Sequence, residues 1–361
     1  MQRLPYVVVT NPHISSVYEL YYSAFDTFRR VKEIKTLDDN EKFCAEIAKM
    51  LRAHLSVIPQ LAMGILECSG LMPAGELDRF MNTILRSRIS RRVIAEQHLA
   101  LSETFDSPWF SPGAKLGESE FIGEVFLKCI AKDVIERCGH AVRDLARSAN
   151  GPGVAIPEIR INGHFEASFP YILSHLEYII GELLRNSVQA VIDNHHSSQH
   201  KAKSGPPPPI EVTLCEAQQH VIIRISDQGG GIPRDMLPYL WSFGKGPLKS
   251  QRLENLGQVP LMAATLQELR IPDHTLDGNF TGLQDRGNPT THDGSLTSLS
   301  TRPPNLRLGM GLPLSRVYAE YWAGSLEMHS LEGYGVDAFL QISKLGNKNE
   351  QLATRAAMDA V

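Results

Sequence analysis

The 361-residue chain contains no apolar run of the ~18–20 residues that a helical membrane span requires, which excludes that class of protein. Cysteine is scarce. Cys44, Cys68, Cys129, Cys138 and Cys215 are odd in number and form no C-x-x-C pair, which argues against a disulfide framework and for buried thiols in a reducing compartment. Neither sign of charge dominates: 36 Lys and Arg stand against 40 Asp and Glu, a formal net charge of −4. Such a balance gives no general attraction to nucleic acid or to anionic lipid. No internal repeat is detectable, so a solenoid is not expected. The start, MQRLPYVVVTNP, has neither a secretory signal nor the Arg/Ser-rich amphipathic pattern of a mitochondrial presequence. The expectation is a cytoplasmic protein or a start that is not the biological one. What is present is a globular composition, 42% hydrophobic and 21% charged, at a length that suits about two domains.

The first part reads as helical, from about Ser15 to Leu145. Thr36-Leu37-Asp38-Asp39 offers a cap for a helix continuing through Phe43, Ile47, Leu51, Leu55 and Ile58. Glu76–Leu101 carries Leu77, Phe80, Ile84, Ile89 and Val93 at helical spacing, and Phe121–Leu145 repeats the pattern with Val125, Leu127, Ile130, Val134 and Val142. Ser107–Gly117, rich in Pro, Gly and Ser, reads as a loop. Long amphipathic helices with short connections predict an antiparallel bundle over residues 1–150. Beyond Gly151 the character changes. Strand-like runs at Glu158–Ile161, Ile210–Leu214, Val221–Ser226, Ser325–Ser330 and Val336–Ile342 alternate with helices Leu173–Asn194 and Leu314–Tyr321. That order predicts an α/β or α+β sandwich over 151–345, followed by a tail over 346–361. Asn194–Pro209 and Ile271–Asn305 are too polar, or too rich in Gly and Pro, to build core, and both are expected to be disordered.

Three segments of the second part carry chemistry. In the helix LEYIIGELLRNSVQAVIDNH, Glu182, Asn186, Gln189 and Asp193 fall three or four residues apart on one face. A carboxylate can deprotonate a hydroxyl, and an amide oxygen one turn away can ligate Mg²⁺, which takes few protein ligands. An amphipathic helix with a solvated polar face explains the same pattern. In HVIIRISDQGGGIP, a β-branched run ends at Asp227 and is followed by Gly229, Gly230 and Gly231. Asp227 can accept a hydrogen bond from an exocyclic amine, and the glycines let a flat base approach the backbone. A plain Asp-Gly turn fits equally well. In LRLGMGLPLSRVYAEY, Gly309 and Gly311 open a helix whose free N–H groups suit phosphate, or simply form a turn.

Together the three are more specific than any one. An E-x-x-x-N helix, a D-x-G-x-G loop after a strand and a G-x-G helix start, in that order, resemble the GHKL ATPase and kinase superfamily. RINGHFEASFP, ELLRNSVQAV, IIRISDQGGGIP and GMGLPLSRVYAEYWAGSLEMHSLEGYG resemble the mitochondrial protein kinases of α-keto acid dehydrogenases. LPYVVVTNPHISSVYELYYSAF and ILRSRISRRVIAEQHLAL resemble them too, so the likeness runs from about Leu4 to Leu345 apart from one insert. Tyr178, where pyruvate dehydrogenase kinases usually carry His, and the absence of their Asp-Trp tail motif lean towards branched-chain-type and fungal members.

The resemblance implies an α+β fold, a helical bundle followed by a GHKL (Bergerat) α/β sandwich. It implies ATP, Mg²⁺ and often K⁺ as cofactors. Glu182 would be the general base for an acceptor serine, and Asn186 would hold Mg²⁺ on the ATP phosphates. Asp227 would read the adenine amine, with Gly229 and Gly231 shaping its pocket. Gly309, Met310, Gly311 and Leu312 would contact phosphate through backbone amides. The implied activity is phosphorylation and inactivation of the E1α subunit of a 2-oxo acid dehydrogenase complex, branched-chain type favoured. Docking of the 1–150 domain on an E2 lipoyl domain, homodimerisation and the mitochondrial matrix come with it. Nucleic acid is not an expected partner. Pyruvate dehydrogenase as substrate and a catalytically weak scaffold on E2 are the alternatives, and a sensor histidine kinase is a third.

Several positions depart from the family pattern: Arg307 in place of the first glycine of G-x-G-x-G, Arg185 for Lys, Gln189 for Arg, Val336 for a hydroxyl residue, and Gly244-Lys245-Gly246 where a hydroxyl pair is usual. Ser242–Leu306 corresponds to the ATP lid, with a long insertion over 244–306 of which 271–305 reads as tolerated extra length. His98, in AEQHLAL, has no adjacent acidic residue and reads as structural rather than as a phosphoacceptor. His195, His196 and His200 are not expected to bind metal. Arg86, Arg88, Arg91 and Arg92 read as a solvated basic face, although the resemblance implies a neighbourhood near the bundle core, and Cys129 and Cys138 read as apolar helix residues.

Overall fold

The computed structural model describes residues 4–105, 121–151, 153–199, 205–246, 249–259, 261–262 and 308–344. These gather into two compact units. The first holds the described residues of 4–124, 242–262 and 308–310; the second holds those of 125–241 and 311–344. The division falls after Glu124, ahead of the position near residue 150 expected from the sequence.

The first unit is helical: α1 (Tyr6–Val9), α2 (Pro12–Phe28), α3 (Leu37–Ala53), α4 (Val57–Glu67), α5 (Ala74–Phe105) and, from much later in the chain, α8 (Lys249–Gly257). Asn11 caps α2 by accepting the His13 and Ile14 N–H groups, with Pro12 in the first turn where its missing N–H costs nothing. The cap expected at Thr36-Leu37-Asp38-Asp39 is present, and Thr36 and Asp39 make it a reciprocal capping box at α3. The expected continuous helix through Ile58 is broken. α3 ends at Ala53, a 3-10 turn covers His54–Ser56, and α4 restarts at Val57. Pro59 explains the break: mid-helix it would remove a hydrogen bond and clash, whereas in the first turn of α4 it is tolerated. α2 packs on α4, α3 on α5 and α8 on α4, burying Ile14, Leu51, Ile58, Leu61, Ile65 and Met81.

Phe121–Leu145 is not one helix. Phe121–Ile122 (β1) and Val125–Ile130 (β2) are strands, and only Ala131–Asn150 (α6) is helical. Val125, Phe126 and Ile130 favour a pleated surface, and β2 finds an antiparallel partner in Ser168–Ile172 (β4), a strand not anticipated from sequence. Cys129, expected on a helix, is therefore a buried strand residue, whereas Cys138 is buried on α6 as expected.

The second unit continues with β3 (Ile159–Gly163), α7 (Leu173–Gln199), β5 (Ile210–Glu216), β6 (His220–Asp227), α9 (Gly311–Tyr321), β7 (Ser325–Leu331) and β8 (Gly335–Ser343). A five-stranded sheet runs β3-β5-β6-β8-β7, with only β3 and β5 parallel. Its buried face is a cross-strand ladder: Val212 opposes Ile225, Leu214 opposes Ile223, Ile223 opposes Leu340 and Leu340 opposes Leu326. α7 and α9 pack against the sheet and α6 along α7, giving the expected α+β sandwich. α7 continues through Gln199, so His195 and His196 are helical rather than part of a flexible connector. Ser107–Gly117, His200, Ile271–Asn305 and Arg307 lie outside the described residues. No described helix is long and apolar enough to cross a membrane.

Candidate nucleotide site

The helical face predicted to be polar is not uniformly solvated. Glu182 is 4% exposed, whereas Asn186, one turn on, is exposed. Ile179, Leu183, Leu184 and Val188 form the buried flank that draws Glu182 inward. Arg185 lies 3.7 Å from the Glu182 carboxylate, an ion pair one turn apart on the helix. Gln189 donates to Asp193 at 2.7 Å, so these two are occupied with each other. Gly311, the first residue of α9, sits against Glu182: a Cβ there would collide with the carboxylate oxygen. The helix start and the carboxylate are therefore brought together within the second unit.

Asp227 ends β6, and the period of two fixes its direction. Val221, Ile223 and Ile225 face the core, so Asp227 does too, at 5% exposure. Its Oδ1 accepts the Gly229 N–H at 2.9 Å and its Oδ2 accepts the Ser187 hydroxyl at 2.9 Å. Burial raises its pKa above the ordinary 3.8, opposed by hydrogen bonds from Gly229, Ser187 and the Val336 backbone. A carboxylate has about four lone-pair sites, so acceptor capacity remains for a further donor.

The glycine loop beside Asp227 is fixed from several sides. Gly230 donates to the Tyr334 carbonyl at 3.0 Å and accepts from Gly333 at 2.8 Å. Ile232 N–H reaches Ser330 Oγ at 2.7 Å, and Asn194 reaches the Gln228 carbonyl at 3.1 Å. A Cβ at Gly229 would stand 2.5 Å from that of Ala190, and Gly231, at φ +75°, packs on the Leu331 carbonyl. These positions leave no room for a side chain because the loop packs directly on Ala190 of α7 and on the Leu331 backbone.

Ser187 and the Val336 amide were not read from the sequence. Ser187 did leave a trace: it stands four residues from both Leu183 and Val191, a polar residue on the apolar face of α7. Val336 lacks the hydroxyl usual in the family, yet its contribution to Asp227 is made by backbone. Gly309, at φ +69°, and the buried Met310 belong to the first unit, and Gly311 and Leu312 to the second.

Elsewhere the basic run of α5 is divided: Arg86 and Arg91 are exposed, as a solvated face would have them, whereas Arg88 and Arg92 are not. Arg88 and Arg92 are buried, Arg92 pairs with Glu96 at 2.8 Å, and Arg91 stacks over Tyr21. His98 packs edge-on against Phe43. Among the described residues no cluster of three or more His, Cys, Asp or Glu is placed to hold a metal. That donor set suits Zn²⁺. A Mg²⁺ held mainly by water and phosphate needs only one or two protein oxygens, and the exposed Asn186 amide meets that requirement.

A buried aspartate at a strand end, a Glu and an Asn one turn apart on the helix behind it, and a glycine-opened helix against that Glu define a GHKL-type ATPase. The family model of histidine kinase-, DNA gyrase B- and HSP90-like ATPases matches residues 172–344. Residues 1–126 match the model of mitochondrial branched-chain alpha-ketoacid dehydrogenase kinase. Over 98% of the chain and 74% of the relative, the sequence is 32% identical to the mitochondrial pyruvate dehydrogenase (acetyl-transferring) kinase 2 of Saccharomyces cerevisiae. It is 29% identical to the mitochondrial pyruvate dehydrogenase (acetyl-transferring) kinase of Arabidopsis thaliana, over 98% of the chain and 81% of that relative. The Drosophila melanogaster kinase of the same name is 25% identical over 97% of the chain and 74% of its own length. The chain belongs to the mitochondrial α-keto acid dehydrogenase kinase family and is an ATP-dependent protein kinase.

Proposed function

We propose that the chain phosphorylates a serine of the E1α subunit of a mitochondrial 2-oxo acid dehydrogenase complex and thereby inactivates that complex. The observation that carries the reading is the pairing of a buried Glu182 with the glycine start of α9, beside a separately buried Asp227. Glu182 takes the proton of the acceptor hydroxyl as its oxygen attacks the γ-phosphorus and ADP leaves. Asp227 accepts the adenine amine, with Gly229 and Gly231 against the ring. Gly309, Met310, Gly311 and Leu312 present backbone amides to the phosphates. Mg²⁺, when bound, neutralises phosphate charge, and Asn186 is the residue that would hold it. K⁺ would be a further ion by family likeness.

The helical part, placed at residues 1–150 by sequence, serves as the regulatory domain that docks on a lipoyl domain of E2. The part over 151–345, with its lid insertion over 244–306, serves as the kinase domain. A homodimer in the mitochondrial matrix completes the reading. The full-length relatives named above act on pyruvate dehydrogenase, which makes that enzyme the preferred substrate over the branched-chain complex favoured from sequence. The match of residues 1–126 to the branched-chain kinase model, together with Tyr178, supports the branched-chain complex as a second reading.

Labelled ATP and Mg²⁺ are incubated with the chain and each purified E1/E2 pair. Label is expected on pyruvate dehydrogenase E1α. Label on branched-chain E1α alone selects the second reading, and transfer to neither sinks both. Glu182→Gln is expected to abolish transfer while ATP binding, measured by calorimetry, persists.

A further inference from the structure

Arg252, on α8, is 7% exposed, and among the described residues its guanidinium meets no carboxylate. Backbone carbonyls surround it instead. Nη2 donates to Phe243 O at 2.8 Å and to Gly309 O at 3.2 Å, Nε to Leu308 O at 3.2 Å, and Nη1 to Lys245 O at 3.3 Å. A buried cation is costly unless hydrogen bonds replace its water, and here converging carbonyl dipoles do so. The fork geometry matters: one planar group holds carbonyls from two stretches of chain more than 50 residues apart, Leu308 lying 56 residues from Arg252 and Gly309 57.

One of those stretches is anchored independently. Asp78, at the start of α5, accepts the Phe243 N–H at 2.9 Å and the Ser242 hydroxyl at 3.1 Å. Ser242 Oγ in turn accepts the Lys245 N–H at 3.1 Å, and the Phe243 ring is buried. Arg252 therefore ties Leu308 and Gly309 to a fixed point of the same unit.

The tie has a directional effect. In a trans peptide the C=O and the following N–H point to opposite sides of the chain. Holding the Leu308 carbonyl turns the Gly309 N–H away from Arg252, and holding the Gly309 carbonyl does the same to the Met310 N–H. Gly309 makes the arrangement possible. At φ +69° it takes a backbone conformation that other residues avoid, and a Cβ there would collide with Nε and Cζ of Arg252.

We propose that Arg252 is a positioning residue for phosphate: by gripping the Leu308 and Gly309 carbonyls it aims the Gly309 and Met310 amides at the polyphosphate of ATP. The proposal rests on the reading of Gly309–Leu312 as the phosphate loop. Its mark is a selective effect on the phosphates, since the bonds of Arg252 go to the carbonyls of Phe243, Lys245, Leu308 and Gly309.

The full chain, Arg252→Lys and Arg252→Met are titrated with ATP in the presence of Mg²⁺, and with adenosine. Lysine keeps the charge but not the fork; methionine keeps an apolar stem alone. Both variants are expected to bind ATP about ten-fold more weakly, the loss of one charge-assisted contact, while adenosine affinity holds. A ratio of ATP to adenosine affinity unchanged in both variants overturns the proposal and leaves the nucleotide site intact. If the unaltered chain binds ATP no better than adenosine, the phosphate-loop reading fails first. Loss of the circular dichroism spectrum in both variants also overturns the proposal, because Arg252 would then be required for folding rather than for aim.

Discussion

Asp227, which we propose reads the adenine amine, is held against the interests of the fold. Burial raises its pKa, so the folded chain holds the proton more tightly than the unfolded chain does, and above that pKa the ionised carboxylate works against stability. Asp227→Asn removes this burden. Its thermal midpoint at neutral pH is expected to equal or exceed that of the unaltered chain, while MgATP affinity falls about ten-fold or more as the charged acceptor is lost. The same sign governs pH. ATP affinity in the unaltered chain should fall as acid protonates Asp227, with its midpoint above 3.8, and calorimetry of Asp227→Asn across pH should show no such limb. Asp227, Glu182 and Asn186 stand out in the sequence as candidates because chemistry and spacing coincide there. Ser187 was not singled out, because a serine inside a helix carries no sign of its partner 40 residues away.

At the scale of elements, local chemistry and tertiary pairing divide the record. The capping box of α3 was readable because its partners lie three residues apart. Thr36→Ala should therefore cost about 1 kcal/mol, visible as a lower urea midpoint with an unchanged slope. The sheet strands around the site were readable from their alternation. β2 was not. Val125, Leu127 and Ile130 match a helical period as well as a strand, and the deciding fact, β4 lying alongside, is non-local. The break between α3 and α4 was in principle visible, since Pro59 sits where a continuous helix would need its N–H.

For the molecule as a whole, acid should act first through the helical unit. His54 is half-buried, its Nε2 3.4 Å from the Leu20 carbonyl and its ring edge-on to Tyr21. Burial, with Arg88, Arg92 and Arg91 nearby, lowers its pKa from 6.5 to about 4. A depressed pKa means that the stability it carries is complete above pH 6.5 and drains away as pH falls towards about 4. Thermal midpoints should decline across that window, and His54→Gln should flatten the decline. The sequence reading divides the chain near residue 150, whereas the two units part after Glu124. α6 reads as another bundle helix until α7 is seen beside it. The grip of Arg252 also bears on how this chain tolerates change. Because Phe243 and Lys245 are already joined to Leu308 and Gly309, the ends of the intervening segment are pinned whatever its length. Loop-closure entropy varies only logarithmically, about 0.6 kcal/mol per doubling. Deleting residues 271–305 should then alter ATP affinity by no more than about three-fold by calorimetry, the equivalent of one such step.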